Sequence, residues 1–220
     1  MKNVKCPICY NYNIYLNVIK HGCFDKYYYH VCKNCNHLFT DYSIIFSSNT
    51  IFSTGKKRAD NYINYILNNY NFNSLIEIGS ANDFYFLNKI HEKDKHKLLY
   101  LHDSYDYSSQ IPEYINFLNN DELKKINKKI DICYMCHSLE HIPNIDDFLI
   151  TMTKIIGIFI IEIPFFTNTI IDELKNRKNP HYHYYSKNSI ELKFSQFGFN
   201  LIEYNISKYN DKNMMFIFKK

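Results

Sequence analysis

The sequence predicts an α/β protein: a doubly wound, mostly parallel sheet with a C-terminal antiparallel strand, preceded by a small zinc-ribbon-like module. Three observations carry this. From Ser74 onward strand-like and helix-like segments alternate, the pattern of parallel strands with helices on both faces. The last two segments, "FNLIEYNIS" and "MMFIFKK", are both strand-like and are joined by the turn-like "KYNDKN", so one closing strand runs antiparallel. Ahead of them, Cys6, Cys9, Cys32 and Cys35 stand as C-x2-C-x22-C-x2-C.

The elements follow in order. Residues 1–45 form the cysteine module, and residues 46–73 a polar, Asn- and Tyr-rich connection with a helix around 58–69. Residues 74–220 form the α/β domain. In it "SLIEIG" is a strand, "DFYFLNKIHEK" a helix, "KLLYLHD" a strand, "INFL" a short strand and "DELKKINKK" a helix. "DICYMCHS" is a strand, "NIDDFLITMTKII" a helix and "GIFIIEIP" a strand. "SKNSIELKFSQFG" is a helix, with Ser186 placed to cap its start and Gly198 to end it.

The 220 residues, 46% of them hydrophobic and 17% aromatic, can bury a large core. The net charge of +4 is scattered, with no Lys/Arg run of the kind that binds nucleic acid. The start lacks the continuous apolar run of a signal peptide, and the most apolar window, "IIGIFIIEIPFF", is too short to span a bilayer and carries Glu162. A cytoplasmic protein with no membrane partner is expected. Seven cysteines there suggest metal or free thiols rather than disulfides.

Two residues between cysteines let one tight turn aim both thiolates at one ion, and four thiolates complete tetrahedral zinc with no position left for catalysis. Cys6, Cys9, Cys32 and Cys35 are therefore expected to hold structural zinc, with four unmetallated thiols or a redox or other role as alternatives. Each turn wants a residue tolerant of unusual backbone angles after its second cysteine; Asn36 suits this better than Tyr10. His21, Cys23, His30 and His37 are spare ligands. Cys133 and Cys136 are three apart in a strand, so they point to opposite faces and should not chelate together.

In a doubly wound sheet, ligands sit beyond the carboxyl ends of the strands. "SLIEIG" delivers Glu77 and Gly79 to that edge, and Gly79 lets the backbone approach a ligand. The next strand ends at Asp103, where a carboxylate can take both hydroxyls of a ribose.

Two further segments, "DICYMCHSLEHIPNIDDFL" and "HYHYYSKNSIELKFSQFGF", resemble class I S-adenosylmethionine-dependent methyltransferases, whose domain is Rossmann-like. The family's fourth strand followed by "LEH", an apolar residue and Pro is similar to Asp131 through Leu139-Glu140-His141-Ile142-Pro143. Its "IEVP" strand is similar to Ile161-Glu162-Ile163-Pro164, and its later "H…FS…SL…GF" to His181, Tyr185-Ser186, Ser189-Ile190 and Gly198-Phe199. "CPIC" with "CKNCNHLF" resembles the N-terminal zinc module of a subgroup that includes sugar C-methyltransferases. The resemblance covers most of the chain in the right order, leaving residues 46–73 unsupported. The family's E-x-G-x-G-x-G loop reads Glu77-Ile78-Gly79-Ser80-Ala81-Asn82-Asp83 here, with Ala81 and Asp83 in place of two glycines.

The resemblance implies S-adenosylmethionine bound by Glu77, Gly79, Ser80, Asp83 and Asp103, with Cys136 and His137 near the adenosine. It implies methyl transfer to a small molecule or carbohydrate, best a nucleotide-linked sugar or surface-glycan residue. His141, His181 and His183 are the candidate bases, and Tyr182, Tyr184 and Tyr185 candidate walls of a substrate pocket. Related enzymes hold Mg²⁺ with Glu-x-x-Glu-His; His137 replaces the first Glu, so none is expected. Two other functions stay open: an RNA methyltransferase that uses the zinc module to hold RNA, not favoured by so few basic residues there, and a non-catalytic binding protein with an eroded loop.

Overall fold

The computed structural model describes residues 4–21, 25–40, 56–80, 84–164, 181–206 and 213–220. Its main sheet has seven strands: β4 (Ser74–Ile78), β5 (Leu98–His102), β6 (Ile115–Phe117), β7 (Ile130–Cys136), β8 (Ile156–Pro164), β10 (Asn200–Ile206) and β11 (Asn213–Lys219). Their order is β10-β11-β8-β7-β4-β5-β6. Strands β6, β5, β4, β7 and β8 pair in parallel, while β11 runs antiparallel to both β8 and β10. The doubly wound sheet with an antiparallel closing strand is as the sequence predicts. The chain fills one side of β4 with β5 and β6 and then crosses to β7 and β8. The topological switch point therefore lies at the carboxyl end of β4, between it and β7.

Alternating side chains feed two cores, one per sheet face. On β11, Met214, Phe216 and Phe218 enter one cluster, Met215 and Ile217 the other. The second face is covered by α1 (Lys56–Asn69) and α2 (Tyr85–Lys93), through Tyr62, Ile63, Ile66, Leu87 and Ile90. The first face is covered by α3 (Asn120–Lys125), α4 (Ile145–Met152) and α5 (Lys187–Gln196), through Leu123, Leu149, Ile190 and Phe194. Cys133 packs into the first core and Cys136 against the second, as their spacing requires. Ser186 caps α5 with its side chain on the Ser189 N–H, and Gly198 closes it at φ 81°. Asp131 of the family-like strand is structural: its Oδ2 accepts from the backbone N–H groups of Asn73 and Ser74, tying the start of β7 to that of β4. No helix among the described residues is long and apolar enough to cross a membrane.

A second, antiparallel sheet holds β1 (Ile14–His21), β2 (Asp25–Cys32), β3 (Leu38–Thr40) and β9 (His183–Tyr184), in that order. Three strands come from the cysteine module and the fourth from a segment more than 140 residues later. The module is thus stitched into the domain. Cys6, Ile8, Cys32, Cys35 and Phe39 belong to the same buried cluster as α4, α5 and one sheet face.

Candidate metal centre and cofactor crevice

The four module cysteines converge, with sulfurs all within 4.8 Å of one another. Cys6 and Cys35 sulfurs are 3.7 Å apart, those of Cys9 and Cys32 3.4 Å. Zinc–sulfur bonds of about 2.3 Å in a tetrahedron space sulfurs about 3.8 Å apart, so the set fits zinc. Both turns reach the left-handed region at the expected positions, Tyr10 at φ 57° and Asn36 at φ 55°. Each is closed by a backbone hydrogen bond to its first cysteine, Tyr10 N to Cys6 O at 3.0 Å and Asn36 N to Cys32 O at 2.9 Å. The spare candidate His37 is instead buried between Phe39, His183 and Tyr185.

The first turn is clamped to the domain by Lys193 of α5, whose side chain is fully buried. Its ammonium donates to Pro7 O at 2.8 Å and to the Tyr10 hydroxyl at 2.9 Å, and pairs with Asp146. Tyr10 in turn donates to Asp146 at 2.9 Å, and the Gln196 side-chain Nε2 donates to Ile8 O at 2.9 Å. Lys193→Met is expected to lower stability by about 2–3 kcal/mol, because it leaves the Pro7 carbonyl and Asp146 without their cation. Urea unfolding of the two proteins checks this; a change within about 0.5 kcal/mol would contradict it.

At the switch point, Gly79 leaves β4 at φ 74°, a conformation that side chains disfavour. A Cβ there would stand 2.4 Å from Ser138 Oγ and 2.9 Å from Ser138 Cβ, so β4 and the segment after β7 meet at van der Waals limits. Ser138 Oγ donates to Gly79 O at 3.3 Å and to Cys136 O at 3.2 Å. Gly79 N donates to His102 O at 2.9 Å, bringing the ends of β4 and β5 side by side. Asp103, next along, is partly exposed, and both of its described hydrogen bonds fall on Oδ1, from Tyr105 N at 2.9 Å and Ser104 Oγ at 3.4 Å. Among the described residues no hydrogen bond falls on its Oδ2. Glu77 and Ser80 are buried beside Gly79. Asp83, with Ala81 and Asn82, lies outside the described residues. Phe84, which follows them, is also left-handed at φ 47°, and its ring packs edge-on to Tyr107.

A buried charge network borders this edge. Glu162 of β8 is fully buried and pairs with Arg58 of α1 at 3.2 Å and with His137 Nε2 at 3.5 Å; Asn213 also donates to it. His137, left-handed at φ 54°, puts Nδ1 3.3 Å from Glu140 Oε1. Burial opposes charge on His137, but the flanking Glu140 and Glu162 carboxylates win and raise its pKa to about 9. Burial likewise opposes charge on Glu140, and the imidazoles of His137, His181 and His141 hold it down at about 2. Sequence reasoning assigned no role to Arg58, Glu140, Glu162 or Asn213. An acid inside the apolar run "GIFIIEIP" was the legible signal for Glu162.

The three candidate histidines separate into two groups. His141 and His181 meet, with ring centroids 4.6 Å apart, both partly exposed and next to Glu140. His183 is fully buried instead. Its Nε2 donates to Pro143 O at 3.2 Å, so its Nδ1, 3.1 Å from His37 Nε2, accepts. Burial pushes its pKa down to about 4. Pairing of β9 with β3 turns this side chain under the module, so His183 packs there and does not join the other two. The same pairing buries Tyr184 and Tyr185 and leaves Tyr182 as the partly exposed tyrosine of the three.

The architecture is the methyltransferase fold, and comparison with solved structures agrees. An O-methyltransferase candidate from Nostoc punctiforme aligns with a TM-score of 0.61 at 12% identity, over 76% of this chain and 56% of that one. RosA, the N,N-8-amino-8-demethyl-D-riboflavin dimethyltransferase of Streptomyces davawensis, gives 0.55 at 14%, over 75% and 54%. The 1,6-didemethyltoxoflavin-N1-methyltransferase of Burkholderia thailandensis, with S-adenosylhomocysteine bound, gives 0.52 at 10%, over 76% and 78%. The chain thus spans just over half the length of the first two. No family model and no curated protein matches it.

Proposed function

We propose that the chain is an S-adenosylmethionine-dependent methyltransferase acting on a small molecule, best a nucleotide-linked sugar or a surface-glycan residue. The observation that carries this is the joined end of β4 and β5, where Gly79 turns left-handed at the switch point and donates its N–H to His102 O, the residue before Asp103. Neighbours of the same fold include S-adenosylhomocysteine complexes, which supports the cofactor. The sugar acceptor rests on the cysteine module's resemblance.

In this reading Asp103 takes the ribose hydroxyls, Gly79 lets the backbone close on the ligand, and Ser80 and Asp83 continue the cradle. Glu77, Cys136 and His137 line its inner wall. When bound, the sulfonium supplies an already activated methyl group. The protein's work is then orientation and exclusion of water. His141 or His181 receives the acceptor's proton, with Glu140 beside them to stabilise the imidazolium. Cys6, Cys9, Cys32 and Cys35 hold structural zinc, which through β3 and β9 fixes the segment carrying His181. The protein is expected in the cytoplasm.

The test is thermal-shift screening with S-adenosylmethionine and S-adenosylhomocysteine, followed by activity on nucleotide sugars. The wild type should shift, and Asp103→Ala should weaken binding about 100-fold, consistent with loss of two hydrogen bonds to a charged group. Unchanged binding in that variant would remove Asp103 from the site. No shift at millimolar ligand would support a non-catalytic binding protein instead.

A further inference from the structure

We infer that the end of the main sheet opposite the crevice is a docking face for the anionic headgroups of a lipid surface. The lysines that make it lie far apart in the sequence, and the fold gathers them. Lys128 and Lys129 stand just before β7, Lys154 just before β8, and Lys219 and Lys220 at the end of β11. Strand β11 runs antiparallel, so it finishes where β7 and β8 begin. Ile130 of β7 pairs with Ile156 of β8, and Ile158 of β8 with Lys219. Lys129 Nζ donates to Lys154 O at 2.7 Å, and Lys220 Nζ to Thr153 O at 2.7 Å. Lys124 and Lys125 occupy the last turn of α3, three residues ahead of Lys128.

All seven are exposed, and among the described residues none is in an ion pair. The segments 124–131, 153–158 and 217–220 hold one acidic side chain, Asp131, and its Oδ2 already accepts from the N–H groups of Asn73 and Ser74. Seven positive charges thus share one edge of a chain whose net charge is +4. Water and salt screen them in solution, and a negatively charged surface attracts each of them in addition.

Charge alone would suit nucleic acid as well, and composition decides between the two. The cations are all lysine, with no arginine fork to grip a phosphate. These segments also carry no exposed aromatic ring on which a base could stack, Phe218 being fully buried. What borders them is aliphatic. Ile150 of α4 is 49% exposed, and its carbonyl accepts from Thr153 Oγ1 at 3.2 Å. Such a side chain can enter the boundary between headgroups and acyl chains while the lysines stay with the phosphates. Strand β7 has seven residues, so at about 3.3 Å per residue the face lies about 20 Å from the crevice. Docking on the lysines therefore leaves the crevice turned to water and open to a soluble acceptor. The expectation of no membrane partner then holds for spanning segments and gives way to attachment at the surface.

The test is sedimentation of the full chain with vesicles of phosphatidylcholine, alone or mixed with phosphatidylserine, at physiological ionic strength. The protein should pellet with the mixed vesicles only, and less so as salt is raised. Lys128→Glu/Lys154→Glu changes two exposed side chains and should weaken binding at least tenfold. Lys89→Glu/Lys187→Glu alters the net charge equally but away from this edge, and should stay within about twofold of the wild type. Ile150→Ser should weaken vesicle binding about threefold. Protein left in the supernatant with the mixed vesicles would overturn the inference; if it then bound single-stranded RNA through the same lysines, the face would belong to nucleic acid. Equal losses in the two double variants would also overturn it, since net charge rather than this face would then carry the attraction. No cofactor enters the assay, so its failure leaves the crevice untouched.

Discussion

The Gly79→Ala protein is expected to lose about 2–4 kcal/mol of stability and all measurable affinity for S-adenosylhomocysteine. Two independent costs combine. At φ 74° any side chain is strained, by roughly 1–2 kcal/mol. The new methyl would also sit 2.4 Å from Ser138 Oγ. That hydroxyl cannot swing away freely, because it bridges Gly79 O and Cys136 O. Relief must come from moving the backbone at 137–138, which carries His137 and begins the turn holding Glu140 and His141. The second cost can be isolated. Ser138→Gly should remove the steric part, so the Gly79→Ala/Ser138→Gly protein should be more stable than the sum of the single changes allows, by about 1 kcal/mol or more. Strict additivity in urea unfolding would show that the contact is not what makes glycine necessary.

Removing zinc is expected to have the second large effect. Cys32→Ser should release close to one zinc per chain, measured by elemental analysis, and lower Tm by about 10 °C, as loss of roughly 3–4 kcal/mol does in a domain of this size. The cysteines are not a detachable tag. Cys6 and Cys32 are fully buried in the cluster that also contains Phe159 and Phe194. Strand β3 carries β9, and β9 positions His181. Methyl transfer should therefore fall much further than S-adenosylhomocysteine binding, since the described partners of Gly79 and Asp103 (Ser138, His102, Ser104 and Tyr105) all belong to the main domain. Equal loss of both would mean that the module supports the whole domain rather than the acceptor side.

Much of this was legible in the chain because the signals are local. The strand at Ser74, the Ser186 cap, the Gly198 stop and the left-handed positions after Cys9 and Cys35 each depend on a few adjacent residues. What escaped sequence reasoning is non-local. A two-residue strand at His183–Tyr184 has no pattern of its own, and only its pairing with Leu38 and Phe39 reveals it. That pairing decides that His183 packs beneath the module while His181 lies beside Glu140 and His141. Arg58 was hidden for a related reason. It sits on a polar helix in the connection 46–73, and its partner Glu162 lies 104 residues away. The sequence showed a lone acid in an apolar strand but not which cation answers it.

The most direct measurement is a crystal soaked with S-adenosylhomocysteine. The ligand should lie beyond the carboxyl ends of β4 and β5, its ribose hydroxyls on Asp103 and its chain passing Gly79. A crevice left empty at saturating ligand, or the ligand bound away from both residues, would contradict the cofactor site.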